Sequence, residues 1–356
     1  AIHEVDLRPQ GPRFPVVEGE TILKAAIDQN VALPHGCKIG RCGLCKSRLI
    51  EGDVLHREHS DFALSQDEKA SGLVLPCVAT PVSDVSLAPV LLDSSMPGHE
   101  LREFDARVSA LENLTHDIML VRLRPEGGPL EFAPGQYSTL SLPDGTARDY
   151  SMANRSGAPD LEFHIRRIPG GRFSEHVHTQ LEPGEVLRVK GPLGAAHLRT
   201  DHDGPILAVA GGSGLAPVKS IVESAVWLGM RQPIHVYFGA REERDLYLMD
   251  HFRSLGKRHP GMTFTPVLSY GPGGGDYLTG MVHDVLARDT DRGAQRAPHL
   301  FGHVGEGIRC IGIGDENGEL IAADAAKRVV RPEVASKPPR DGEQETIAHD
   351  QAVGRV

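Results

Sequence analysis

Apolar and polar positions change rhythm twice along this chain. From residue 1 to about 93, the short β-rich runs Ile2–Leu7 and Phe14–Val17 precede one helical stretch, Thr21–Gln29. Its Ile22, Leu23, Ala26 and Ile27 share a face. The further apolar runs Ser47–Ile50, Leu73–Leu75 and Val85–Val90 complete a β-grasp pattern, strands around a single helix. The stretch Asp93–Glu100 is polar and turn-rich, and predicts a linker over residues 94–100. From 101 to 200 the pattern becomes many short strands between Gly/Pro turns: Ile118–Leu123, Gln136–Leu142, Leu161–Ile168 and Glu185–Val189. No long helical period lies between them, which predicts a small Greek-key β-barrel. From 201 to 304 the rhythm is βαβαβ, with strands at 205–210, 233–238 and 263–268 and helices at 214–228 and 245–257. That order predicts a doubly wound parallel sheet. The fold class is therefore multidomain, α+β and α/β together.

The first region carries the most specific chemistry. Cys37, Cys42 and Cys45 are spaced C-x4-C-x2-C, and Cys77 follows downstream. Three thiolates on one short loop and a distant fourth match the plant-type [2Fe–2S] spacing. A structural zinc site usually pairs two C-x2-C knuckles, and only one such pair occurs here. Zinc stays open as the lesser alternative. Disulfides fit poorly, because five cysteines is an odd number and the chain shows no secretory signal pattern. Gly40 and Gly43, between the ligands, allow backbone N–H groups to come close to cluster sulfur.

Two further segments suit anionic cofactors. At a strand-to-helix junction stands Ala210-Gly-Gly-Ser-Gly-Leu-Ala-Pro217, able to bring backbone N–H groups to a pyrophosphate. It departs from GxGxxG, since Pro217 takes the third glycine position. Proline is tolerated in a helix's first turn, so the loop stays usable, and a plain tight turn is the competing interpretation. Arg148-Asp-Tyr-Ser-Met-Ala-Asn154 and Phe163-His-Ile-Arg-Arg-Ile-Pro-Gly-Gly-Arg-Phe-Ser174 offer guanidinium groups for phosphate, an aromatic ring for stacking and hydroxyl donors. Taken alone, they equally suit a solvated strand edge.

The three segments in this order resemble the ferredoxin–NADP reductase superfamily. Within it they are most similar to the reductase components of bacterial ring-hydroxylating dioxygenases, of the naphthalene dioxygenase reductase type. The resemblance spans about residues 1–290 and implies a ferredoxin module, a flavin barrel and a nicotinamide module. It implies FAD, with Arg148 on flavin phosphate and Tyr150 and Ser151 as the catalytic pair beside the flavin ring. His164 and Arg166 fall on the second flavin strand, and Gly170, Gly171 and Ser174 on the dinucleotide-phosphate turn. Gly211, Gly212, Gly214 and Pro217 fall on the nicotinamide-cofactor loop, and Arg241 near the adenosine ribose. Glu242 and Glu243 beside Arg241 would repel a 2′-phosphate, which favours NADH, with NADPH as the alternative. The implied acceptor is a ferredoxin or a Rieske oxygenase component. The same parts would serve the reductase of a phenol or methane monooxygenase or of a deoxysugar pathway, or an electron carrier that no longer oxidises NADH.

The resemblance fades after about residue 290. A final Cys-Gly-x-x-x-Met strand is expected near His299–Val304, where Phe301 stands in the cysteine's place. Residues 305–356 have little periodicity, so a divergent, partly disordered tail is expected, or the product of a frame change in the gene. Cys310 is left unassigned. Charge narrows the partners: a formal net charge of −10 argues against nucleic acid, which asks for a basic surface. Apolar runs such as Ile206–Ala210 are too short to span a bilayer, and no membrane association is expected. With free thiols and no export signal, the cytoplasm is the expected compartment.

Overall fold

The computed structural model describes residues 1–61, 63–90, 98–201, 203–270, 276–286 and 288–289, and the backbone of 309–312. The linker is described only over 98–100, and Phe301 and the tail beyond 312 lie outside the described residues.

The first module is a mixed sheet. Its strand order is Arg13–Val17, Ile2–Leu7, Val85–Pro89, Ser47–Glu51, Leu73–Val74, and a separate two-stranded sheet pairs Val54–His56 with Ala79–Pro81. Ile2–Leu7 and Val85–Pro89 run parallel, and the other pairings are antiparallel. Helix Ile22–Asp28 crosses the sheet. Thr21 caps it by accepting the Lys24 amide hydrogen through its hydroxyl, and Ile22, Leu23, Ala25 and Ala26 are buried. These side chains meet Phe14, Leu33, Leu64 and Leu75 in one core. Each such large side chain contributes about 1.5–3 kcal/mol of burial. Enough apolar surface is therefore present to hold the cysteine loop without regular structure in that loop.

The second module is a six-stranded antiparallel sheet, in the order Ala147–Ser151, Tyr137–Ser141, Val186–Leu193, Arg102–Asn113, Ile118–Pro125, Leu161–Arg166. Its two edges meet at a bridge between Met152 and Phe163, and the Ala153 amide donates to the Glu162 carbonyl at 2.7 Å. Those two contacts close the sheet into the expected barrel. Helix Arg172–Thr179 covers one end through Phe173 and Val177. At eight residues it is too short to show a helical period against the surrounding strands.

The third module is a parallel sheet, Leu278–Thr279, Met262–Leu268, Ile234–Ala240, Ile206–Gly211, Arg309–Gly312. Every residue from Ile206 to Gly211 is buried, as a central strand covered on both faces should be. Arg309–Gly312 pairs with Ile206–Val209 and sets Cys310 opposite Leu207. The sheet thus reaches beyond residue 304, the end that the apolar pattern gives this module. Helix Leu215–Trp227 follows a 3-10 turn at Gly212–Gly214, and Pro217 lies in its first turn. The helix expected from 245 begins at Met249, because Glu243–Asp245 forms a separate 3-10 turn and Leu248 is left-handed at φ 57°. Among the described residues no helix is long and apolar enough to cross a membrane.

Candidate functional site

The structure brings the four cysteines together at one end of the first module. Cys45 and Cys77 are buried, and Cys37 and Cys42 are half-buried. The Arg41 and Cys42 amides donate to Cys37 Sγ at 3.2 and 3.3 Å, and the Cys37 amide donates to Cys42 Sγ at 3.4 Å. The loop needs Gly40, whose φ is +73° and whose missing Cβ would lie 2.8 Å from His59 Cβ. The Cys42 thiol beside it and these backbone donors hold Cys37 down to about 5. Cys42 and Cys45 are pushed far up, first by bonding to Cys37 and Cys77 and then by burial. Four sulfurs that cannot all ionise unaided suit a cationic iron cluster, which supplies the missing positive charge. The donor set fits a [2Fe–2S] group.

The second site is a cavity of about 300 Å³ on the barrel, lined by Arg148, Tyr150, Arg166, Ile168, Gly171, Phe173, Ser174 and Ser213. Arg148 and Tyr150 come from strand Ala147–Ser151, and Arg166 ends strand Leu161–Arg166. Gly171 is the N-cap of helix Arg172–Thr179 and places no side chain on that helix's first N–H groups. Two guanidinium groups and an uncapped helix start facing one cavity fit a pyrophosphate. Ser174 Oγ accepts the Ile168 amide hydrogen at 3.0 Å, fixing the turn that carries Gly170. Tyr150 lies 5.4 Å from the Phe173 ring, and burial raises its phenol well above the ordinary value. Ser151 is opposite Tyr137 in the strand register, on the other face from Tyr150, and does not line this cavity.

The nicotinamide loop abuts the same cavity through Ser213. Gly212 has φ +50°, and a Cβ there would lie 3.0 Å from an Arg166 guanidinium nitrogen. Arg166 also binds Asp117 at 2.9 Å, so it stands at the junction of the two modules. His164 is buried behind that junction. Its Nδ1 is 3.1 Å from the Tyr247 hydroxyl, which donates to the Gly212 carbonyl at 3.2 Å. Burial, with the Lys219 charge nearby, pushes His164 down to about 3, so its ring is neutral. Arg241 is exposed just past strand Ile234–Ala240, away from the cavity, with Glu242 bound to Arg244 at 2.9 Å.

Several residues at these junctions carry no motif. Lys219 donates to the Ala153 carbonyl at 3.2 Å, Glu162 at 3.0 Å and Glu223 at 3.1 Å. Burial alone would raise Glu162, but Lys219 and Arg122 outweigh it and its carboxyl is lowered. A lysine in the middle of the apolar helix Leu215–Trp227 was the available signal. Ser220 Oγ donates to the Asn154 carbonyl at 2.6 Å. On the barrel's other flank, His35 lies 2.9 Å from the Tyr137 hydroxyl and Lys38 lies 2.5 Å from Asp149.

Cluster loop, flavin cavity and nicotinamide loop together define an NAD(P)H-dependent oxidoreductase that uses FAD and a [2Fe–2S] cluster. Residues 5–82 match the 2Fe-2S iron-sulfur cluster binding domain family, 105–198 the oxidoreductase FAD-binding domain family and 208–301 the oxidoreductase NAD-binding domain family. The ferredoxin–NAD(P)+ reductase component of the naphthalene 1,2-dioxygenase system of Pseudomonas putida is 37% identical over 286 residues, 80% of this chain and 86% of that protein. The reductase component of propane 2-monooxygenase from Gordonia sp. (strain TY-5) is 36% identical over 296 residues, 80% of this chain and 84% of that one. The cytochrome P450 reductase GcoB of Amycolatopsis superposes with a TM-score of 0.68 at 32% identity, covering 93% of this chain and 96% of its own. The chain belongs to the family of flavin and iron–sulfur reductase components of oxygenase systems.

Proposed function

We propose that this chain takes electrons from NADH and delivers them to the oxygenase, or intermediary ferredoxin, of an aromatic ring-hydroxylating dioxygenase system. FAD, when bound, would supply the two-electron and one-electron chemistry, so the chain's own residues need form no acid–base triad. Arg148 and Arg166 hold the flavin pyrophosphate together with the helix start at Gly171. Tyr150 packs against the flavin ring, and Ser151 serves the same strand from its other face. Gly211, Gly212 and Gly214 present backbone N–H groups to the nicotinamide dinucleotide, and Pro217 starts the helix behind them. The acidic neighbours of Arg241 favour NADH over NADPH. Cys37, Cys42, Cys45 and Cys77 hold the cluster. The observation that carries this proposal is the placement of the cysteine loop on the β-ribbon that bears Arg148 and Tyr150.

The test is spectroscopic. Purified protein should show overlapping flavin and [2Fe–2S] absorbance, and NADH should bleach both without air. Bleaching by dithionite but by neither NADH nor NADPH would make the chain a carrier instead. The reductases of propane 2-monooxygenase and phenol 2-monooxygenase are similar in sequence, which keeps a monooxygenase as the second reading of the acceptor. Co-purification from the native host decides it: a Rieske protein supports the dioxygenase and a monooxygenase component the alternative.

A further inference from the structure

Among the described residues, His35 and Lys38 reach the barrel from the cluster loop. The Ala195 amide donates to the His35 carbonyl at 2.7 Å. The His35 ring makes the second contact. Its Nδ1 is 2.7 Å from the Leu33 carbonyl, which can only accept, so Nδ1 carries the proton. Nε2 is then free to accept from the Tyr137 hydroxyl at 2.9 Å. Lys38 makes the third, with Nζ 2.5 Å from Asp149 Oδ2 and 4.9 Å from the Tyr137 ring centre. Asp149 is steadied from its own sheet, because Thr139 Oγ1 donates to Oδ1 at 2.6 Å.

Lys38 reaches this position at a conformational cost. Its φ is +62°, in the left-handed region that favours glycine, within a loop that uses glycine at positions 36, 40 and 43. A non-glycine residue there costs about 1–2 kcal/mol. The strain persists in a segment where glycine is already used freely, so the Lys38 side chain is what the position retains. That side chain bonds only across the module boundary: its ion pair and its ring contact both lie on the barrel.

We propose that Lys38, Tyr137 and Asp149 form a docking latch that positions the cluster loop on the flavin-bearing ribbon, and that this latch is opened by salt. Tyr137 and Asp149 occupy the ribbon face opposite Tyr150 and Arg148. The cluster loop and the flavin cavity are therefore separated by the thickness of one β-sheet. The ion pair is neither buried nor free: the side chains are 28% and 38% exposed. A half-exposed contact pair of this kind is screened less than a wholly exposed one, and weakens progressively as salt is raised above physiological ionic strength. A buried pair would not release the module, and a wholly exposed one would not hold it. The latch rests on the electron route proposed above, but docking itself can be tested without that route.

The first experiment is zero-length carbodiimide coupling of the full chain, with flavin and cluster in place, read by peptide mass. An amide between Lys38 and Asp149, with loss of water, is expected at low salt and should decrease several-fold at high salt. Lys46 and Glu68, paired at 2.6 Å inside the first module, are the internal control and should couple in both. A Lys46–Glu68 product with no Lys38–Asp149 product overturns the latch. The second experiment uses Lys38→Glu, Asp149→Lys and the double exchange. Each single variant should slow NADH-driven cluster reduction about three- to tenfold, and the exchange should restore it. Flavin reduction by NADH should keep its rate in the Lys38→Glu chain. An exchange that fails to restore the rate, with both cofactors bound, also overturns the latch. If NADH reduces no flavin even in the unaltered chain, the electron route fails, and the cross-link still decides the docking.

Discussion

The barrel has two neighbours, and it holds them differently. Toward the nicotinamide module it presents a buried polar seam: Lys219, 10% exposed, bridges two carboxylates and a carbonyl, and Ser220 binds Asn154. Toward the ferredoxin module the described residues offer a ring-to-hydroxyl bond, a backbone bond and a half-exposed ion pair whose lysine also covers the Tyr137 ring. The contrast follows the chemistry each junction serves. Hydride transfer requires donor carbon and acceptor nitrogen in near-contact, so a small displacement is costly. A single electron crosses a gap, and a one-electron carrier must also meet an outside partner. A rigid seam and a thin latch suit those two demands.

That contrast is breakable by measurement. The largest effect is expected from Lys219→Ala, which takes the shared cation from the half-buried Glu162 and Glu223 and leaves them Arg122 and His251. A loss of about 1.5–3 kcal/mol in chemical denaturation is the outcome. If the loss is under about 1 kcal/mol, the seam is no firmer than the latch. Next in size is the acid limb. His164 is held neutral in the fold, at about 3, below its ordinary value of 6.5. The unfolded chain therefore binds the extra proton between those values, and this contribution, complete above 6.5, is lost as pH falls toward 3. His164→Phe should flatten the fall of the thermal midpoint across that window, and an unchanged slope would assign it to other groups. Ser220→Ala removes one buried hydrogen bond and should cost about 1 kcal/mol, read from the denaturation midpoint. Smallest is Lys38→Ala, at about 0.2–1 kcal/mol, with its effect vanishing in high salt. A Lys38→Ala cost equal to that of Lys219→Ala would erase the distinction.

How far the sequence discloses this arrangement depends on distance along the chain. The cluster site is legible because three of its ligands lie within nine positions, Cys37 to Cys45, and their spacing is the signal. The parallel sheet is legible because buried strands such as Ile206–Gly211 are continuously apolar. Arg148, Tyr150, Arg166, Gly171 and Ser174 converge on one cavity from a motif pattern alone. The module junctions are not legible. Tyr247 meets His164 across 83 positions, and Tyr137 meets His35 across 102, with no local period to announce either. The left-handed Lys38 is equally silent, because a lysine carries no sequence mark of the backbone it adopts. The strand Arg309–Gly312 is not legible either: it lies beyond residue 301, where the family match ends, and its pairing with Ile206–Val209 identifies it.

The barrel's closing bridge, Met152 to Phe163, has one further consequence. The residues just past it, Ala153 and Asn154, are the ones whose carbonyls Lys219 and Ser220 grip. The nicotinamide helix therefore acts as a clasp over the place where the barrel would otherwise unzip. Opening the barrel along that line requires breaking these contacts to the helix, so the two modules are expected to unfold as one cooperative unit. The amide hydrogens of Ala153 and Glu162 should then exchange with solvent at the pace of helix Leu215–Trp227, whereas the cysteine-bearing module keeps its own clock.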